Sequence, residues 1–135
     1  MEALRPTRTL ELPYPPSVNH AWRMVRVGSG CRMVISREGR AFRREACARL
    51  AWLGRPMLDR PLRVVITLHP PDRRRRDADN ALKALLDALQ HAGVIRDDAQ
   101  VADLRVLKGT RVKGGSATVE IEELRPQPTE DDRER

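Results

Sequence analysis

With one Phe, one Tyr and two Trp among 135 residues, the chain has too few aromatics to fill an interior, so its core must be built from Leu, Val, Ile and Ala. No apolar run approaches the roughly 20 residues that a membrane-spanning helix needs. The amino terminus, with Glu2 and several prolines, lacks the apolar stretch of a signal peptide, and the expected location is cytoplasmic. Two cysteines, Cys31 and Cys47, could pair in principle, but a lone pair in a chain without an export signal is expected to be two reduced thiols. His69 and His91 have no cysteine or third histidine at zinc-site spacing, and no Gly-x-x-x-x-Gly-Lys-Ser/Thr loop exists to cradle a nucleotide. Structural zinc and nucleotide hydrolysis are therefore set aside.

What is abundant is arginine. Lys and Arg total 26 against 19 Asp and Glu, a net charge of +7. The last ten residues are locally acidic, with Glu130, Asp131, Asp132 and Glu134 against Arg133 and Arg135, so the rest of the chain is more basic than the total suggests. A small basic domain commonly meets a polyanion, and nucleic acid is the common one, although regulators, ribosomal proteins and nucleases share this property.

The apolar pattern predicts a single α+β domain over residues 1–125, followed by a charged, disordered tail at 126–135. Residues 9–13 alternate as a short strand stopped by Pro13, Pro15 and Pro16. A hairpin is expected from Ala21 to Ile35, turning at Gly28-Ser29-Gly30. A helix should run from Arg37 to Leu53, with Ser36 as N-cap and Gly54 past its end. Leu62 to Leu68 is the clearest strand. A second helix, from about Asp79 to Ala92, carries Leu82, Leu85, Leu86 and Leu89 on one stripe and Gly93 at its C′ position. Two further strands, Gln100–Leu107 and Ser116–Glu122, are expected to pair through a turn at Lys113-Gly114-Gly115. The order β-ββ-α-β-α-ββ implies two helices on a mixed or antiparallel sheet.

Hydrolysing a phosphodiester near neutral pH calls for a hydroxide nucleophile and neutralisation of transition-state charge, and a hard cation held by carboxylates meets both needs. Asp77 and Asp79 flank one residue at a helix start, and Asp97-Asp98 come after the helix. The plainer readings are a helix N-cap for Asp79 or Asn80 and a polar turn for Asp97-Asp98. Lys83 stands four residues after Asp79 and four before Asp87, which suits either an ion-pair ladder or a cation aimed at the scissile phosphate. Arg73, Arg74, Arg75 and Arg76 offer guanidiniums to phosphate immediately before Asp77, and Lys108, Arg111 and Lys113 form a second basic segment, expected to be a hairpin. Trp22 and Trp52 read as core or dimer anchors, with Asn19, His20 and Trp22 open to DNA contact.

The stretch Pro71-Asp72-Arg73-Arg74-Arg75-Arg76-Asp77-Ala78-Asp79-Asn80, continued by Lys83, Asp87-Ala88-Leu89, Ala92-Gly93 and Asp97-Asp98-Ala99-Gln100-Val101, closely resembles the RusA family of Holliday junction resolvases. Leu12-Pro13-Tyr14-Pro15-Pro16-Ser17-Val18-Asn19 resembles that family's opening strand and loop, and Lys113-Gly114-Gly115 its last turn, so the likeness covers about residues 9–124. The resemblance implies a homodimeric, Mg²⁺-dependent enzyme, with Mn²⁺ as a substitute, that makes paired symmetric nicks in four-way junction DNA. It puts the acidic metal site on Asp77, Asp79 and Asp98, with Asp97 assisting, and the essential lysine on Lys83. Asn19, Arg73–Arg76, Lys108 and Lys113 would contact DNA. The glycine loop 28–30 and the acidic tail lie outside the pattern. Two other readings stand beside it: a nuclease of this fold acting on another branched DNA, and a branched-DNA-binding protein without catalysis.

Overall fold

The strand Leu62–His69 buries every second side chain, Leu62, Val64, Ile66 and Leu68, and the fold is assembled around it. The computed structural model describes residues 7–51 and 60–125. In chain order the elements are β1 (Arg8–Leu12), α1 (Val18–Ala21), β2 (Trp22–Val27), β3 (Gly30–Ile35), α2 (Arg37–Leu50), β4 (Leu62–His69), α3 (Asp79–His91), a 3₁₀ turn (Asp98–Gln100), β5 (Val101–Lys108) and β6 (Ser116–Glu123). β1, β6, β4 and β5 form one mixed sheet in that order, while β2 and β3 pair only with each other. The core joins the β4 residues to Val119 and Ile121 of β6, Phe42, Ala46 and Leu50 of α2, and Leu85, Ala88 and Leu89 of α3. Both long helices thus cover one face of the sheet.

Local chemistry sets the start of α2 and the end of α3 as the sequence suggested. Ser36 Oγ accepts from the Gly39 amide at 3.0 Å and caps α2. Gly93 takes φ +78 just past α3, and the Val94 amide closes on the Leu89 carbonyl at 3.0 Å. α2 ends at Leu50, three residues before its expected end, and the expected Leu53, Gly54 and Pro56 signals lie outside the described residues, as do Trp52 and the tail. The single turn α1 was not anticipated. After Pro15-Pro16 the Ser17 carbonyl accepts from the amides of His20 and Ala21, which is enough for one helical turn.

One expectation is corrected. β5 and β6 do not form a hairpin, because β4 lies between them, parallel to β5 and antiparallel to β6. Lys108 therefore ends β5, and Arg111 and Lys113 belong to a connection crossing the end of β4, where the Val112 amide donates to Pro70 O at 3.0 Å. β4 is the most β-branched and apolar strand, and a strand of that kind gains most from neighbours on both sides. Its parallel partner needs a crossover, and α3 supplies it. Among the described residues no helix is long and apolar enough to cross a membrane.

Candidate active site

The nine residues between β4 and α3 are held by their own polar groups. Asp72 accepts from the Arg74 amide at 2.9 Å and from both terminal nitrogens of Arg76, at 2.5 and 3.0 Å. The Arg76 guanidinium holds the Asp72 carboxyl down to a pKa of about 2, helped by the Arg74 amide. Arg76 also lies over the Tyr14 ring, 5.7 Å from its centroid, and its carbonyl accepts from Lys108 Nζ at 2.9 Å. Burial pushes the Tyr14 hydroxyl above its ordinary value, against the opposing pull of Arg76. Arg76 and Lys108 thus fix the loop, while Arg73, Arg74 and Arg75 are exposed.

At the end of this loop Asp77, Asp79 and Asn80 are all exposed. The N-cap of α3 is Ala78, which has helical φ and ψ, and no side chain caps it. The capping role that would have explained Asp79 or Asn80 is therefore not used. Among the described residues neither Asp77 nor Asp79 has a side-chain hydrogen bond or ion pair. Two carboxylates left unengaged beside the fixed Arg76 form an oxygen donor set suited to a hard cation.

Of the two readings of Lys83, one turn into α3, the ion-pair ladder is not formed. Asp87 pairs instead with Arg43 of α2, at 2.7 and 3.1 Å, and ties the two helices together. The Lys83 ammonium rests over the Trp22 ring, 4.6 Å from its centroid. A cleft of about 470 Å³ beside Asp77 and Asn80 is walled by Tyr14, Ser17, His20, Glu38 and Arg74–Arg76. His20 Nδ1 lies 2.8 Å from Ser17 Oγ, and Ser36 Oγ donates to the His20 carbonyl. Asn19 is exposed on α1 beside this histidine. Sequence reasoning missed Glu38 and gave Trp22 no role toward Lys83. The motif Tyr14-Pro15-Pro16-Ser17 marked the neighbourhood without revealing what it faces.

Asp97 and Asp98 stand elsewhere. Asp97 caps the 3₁₀ turn through the Ala99 amide at 3.0 Å, and Gln100 Oε1 returns to the amides of Arg96 and Asp97. The polar-turn reading is thus realised for Asp97. The two carboxyls hydrogen-bond to each other: that bond raises the Asp98 pKa, and with the Ala99 amide as the larger cause the Asp97 pKa falls. Gln100 Nε2 donates to the Arg60 carbonyl at 3.3 Å, which fixes the turn at the start of β4. Asp77 shares a small cavity with Leu68 and Lys108, at the end of β4 and β5. Since Leu62 pairs with Val101 and Leu68 with Lys108, the acidic groups flank opposite ends of a parallel strand pair, about 20 Å long at 3.3 Å per residue. Within one chain Asp77 and Asp79 do not meet Asp98. Among the described residues no three Asp, Glu, His or Cys side chains group as a metal site. A further cleft, about 720 Å³, runs beside α2 past Arg40, Arg44 and His91, and no carboxylate among the described residues lines it.

Comparison with known proteins places these residues in context. The family model described as Endodeoxyribonuclease RusA matches residues 13–122. The crossover junction endodeoxyribonuclease of Enterobacteria phage HK97 is 41% identical over 114 residues, covering 84% of this chain and 92% of that protein. The protein of the same name from Escherichia coli (strain K12) is 43% identical over 122 residues, 87% of this chain and 96% of that one. That of Enterobacteria phage 82 is 44% identical over the same length and coverage.

Proposed function

This chain belongs to the RusA endodeoxyribonuclease family, and from that membership we propose that it is a divalent-cation-dependent endonuclease that resolves four-way DNA junctions by paired nicks. The observation that carries the reading is the unengaged pair Asp77 and Asp79, set beside three exposed arginines and a cleft open to solvent. In this reading Asp77, Asp79 and Asp98, with Asp97 assisting, hold Mg²⁺ or Mn²⁺. When bound, the cation neutralises phosphate charge and lowers the pKa of an attacking water. Arg73, Arg74 and Arg75 hold the phosphate backbone, while Arg76 and Lys108 keep the loop that presents them in place. Asn19 and Lys113 extend the DNA contacts on either side. Lys83 stabilises negative charge as it develops on the scissile phosphate.

The active form is a homodimer. The parallel pairing of β4 and β5 carries Asp98 away from its own Asp77 and Asp79, so a second copy must bring the third carboxylate. Two-fold symmetry then yields two equivalent sites, which matches two symmetric nicks.

Asp77→Asn tests the reading. The variant should bind a synthetic four-way junction as the wild type does and lose nicking in Mg²⁺ by at least two orders of magnitude, the scale on which removing one essential charged group acts. A wild type that fails to nick the junction in Mg²⁺, with Asp77→Asn indistinguishable from it, would refute the proposed function, whereas equal nicking by both would remove Asp77 from the site.

A further inference from the structure

Among the described residues β2 and β3 pair only with each other, and the contacts that tie them to the helices lie at their root. There the Ser36 amide donates to Ala21 O at 2.7 Å, Ile35 packs against Gly39, and Trp22 lies under Lys83. Beyond the root, Met24 is 61%, Val27 55% and Met33 49% exposed, although an isolated two-stranded hairpin has little stability of its own in water. From Trp22 to Ser36 there is no acidic residue and there are three arginines, Arg23, Arg26 and Arg32.

The register sorts these side chains. Residues directly opposite each other in an antiparallel pair share a face. Trp22 with Ile35, Met24 with Met33, and Arg26 with Cys31 therefore make one face, and Arg23 with Val34 and Val25 with Arg32 the other. Each face carries cationic and apolar side chains. The first begins at the Trp22 ring that supports Lys83 and continues outward through the methionine pair to Arg26.

Resting on the junction-nuclease reading, we propose that the β2–β3 ribbon is a DNA-gripping arm that enters a groove of a duplex arm next to the cleavage site. A two-stranded ribbon fits the major groove, about 12 Å wide, and arginines on both faces reach the phosphates of both walls. The four steps from Trp22 to Arg26 span about 13 Å, roughly four base pairs at 3.4 Å each, so the strand whose phosphate meets Lys83 continues along the ribbon. Met24 and Met33, unbranched and polarizable, pack against the groove floor. The charge argues for DNA over a second copy of this chain: the ribbon has three positive charges and no negative one, and the whole chain carries +7.

The test measures the full-length protein binding a fluorescein-labelled four-way junction in EDTA over a series of salt concentrations. Replacing Arg23, Arg26 and Arg32 together by Ala should weaken binding and lower the magnitude of the slope of log K against log salt by roughly 2 to 3, since each lost phosphate contact removes about 0.9. Met24→Ala with Met33→Ala should weaken binding with the slope unchanged. An arginine variant with wild-type affinity and slope overturns the proposal. So does one that keeps the slope while sedimentation shows loss of the dimer, which assigns the ribbon to a protein contact. The two proposals fail separately: a wild type that does not nick the junction in Mg²⁺ removes the nuclease reading, whereas a nicking wild type beside unaltered arginine-variant binding removes only the arm.

Discussion

Lys83 has carboxylates four residues away on both sides, yet its ammonium rests over the Trp22 ring. The reason lies in its neighbours: Asp87 is already held by Arg43, and no ion pair engages Asp79. An aromatic face holds an ammonium in place without neutralising it, which suits a cation that is to act on a phosphate. Trp22→Ala should therefore lower the single-turnover nicking rate on a four-way junction by roughly fivefold, equivalent to about 1 kcal/mol of cation–π interaction. Trp22→Phe should retain most of the rate, because the ring face remains. If Trp22→Ala nicks at the wild-type rate, the ring does not position Lys83. The sequence showed that Lys83 shares a helix face with Asp79 and Asp87, but the choice between ladder and free cation was closed to it, because Trp22 and Arg43 come from other elements.

At the scale of elements, the loop between β4 and α3 owes its shape to Asp72 and Arg76. Asp72 titrates near 2, below its ordinary 3.8. A depressed folded-state pKa means that the pairing stabilises the protein fully above the ordinary value, and that this contribution is lost as pH falls from about 4 through about 2. Urea denaturation should therefore find Asp72→Asn less stable than the wild type at neutral pH, with the difference closing on acidification to pH 2. A gap independent of pH would mean that Asp72 acts otherwise than as a carboxylate. The long elements themselves were legible: alternation marked β4, a leucine stripe marked α3, and Ser36 and Gly93 marked helix ends. Strand partnership was not. Val101–Lys108 and Ser116–Glu123 look like a hairpin because a Gly-Gly turn signal stands between them, but pairing is decided by which strand can fill the centre of the sheet.

For the whole molecule, the separation of Asp98 from Asp77 and Asp79 yields a direct test of the shared site. Asp77→Asn and Asp98→Asn homodimers should each be inactive. Mixed and allowed to exchange subunits, they form heterodimers in which one site pairs the intact Asp77 of one subunit with the intact Asp98 of the other. Nicking of a single strand should then return. If each site were built within one chain, both sites of the heterodimer would stay defective and mixing would restore nothing. The assay is junction nicking on a denaturing gel, with and without exchange.

The acidic block from Asp77 to Asp79, the arginines before it and Asp98 after the helix were legible as candidates in the sequence alone, because the chemistry they offer depends on residue type. The order of the longer elements was set by local periodicity and punctuation, and the family by the likeness of the motif residues around Asp77. Where each carboxylate points was decided by the tertiary structure. A parallel strand pair joined by a helix puts the segment before the helix at one end of the sheet and the segment after it at the other, about 20 Å apart. Residues 20 positions apart in the sequence could have met or not. The register of β4 and β5 keeps them apart within one chain.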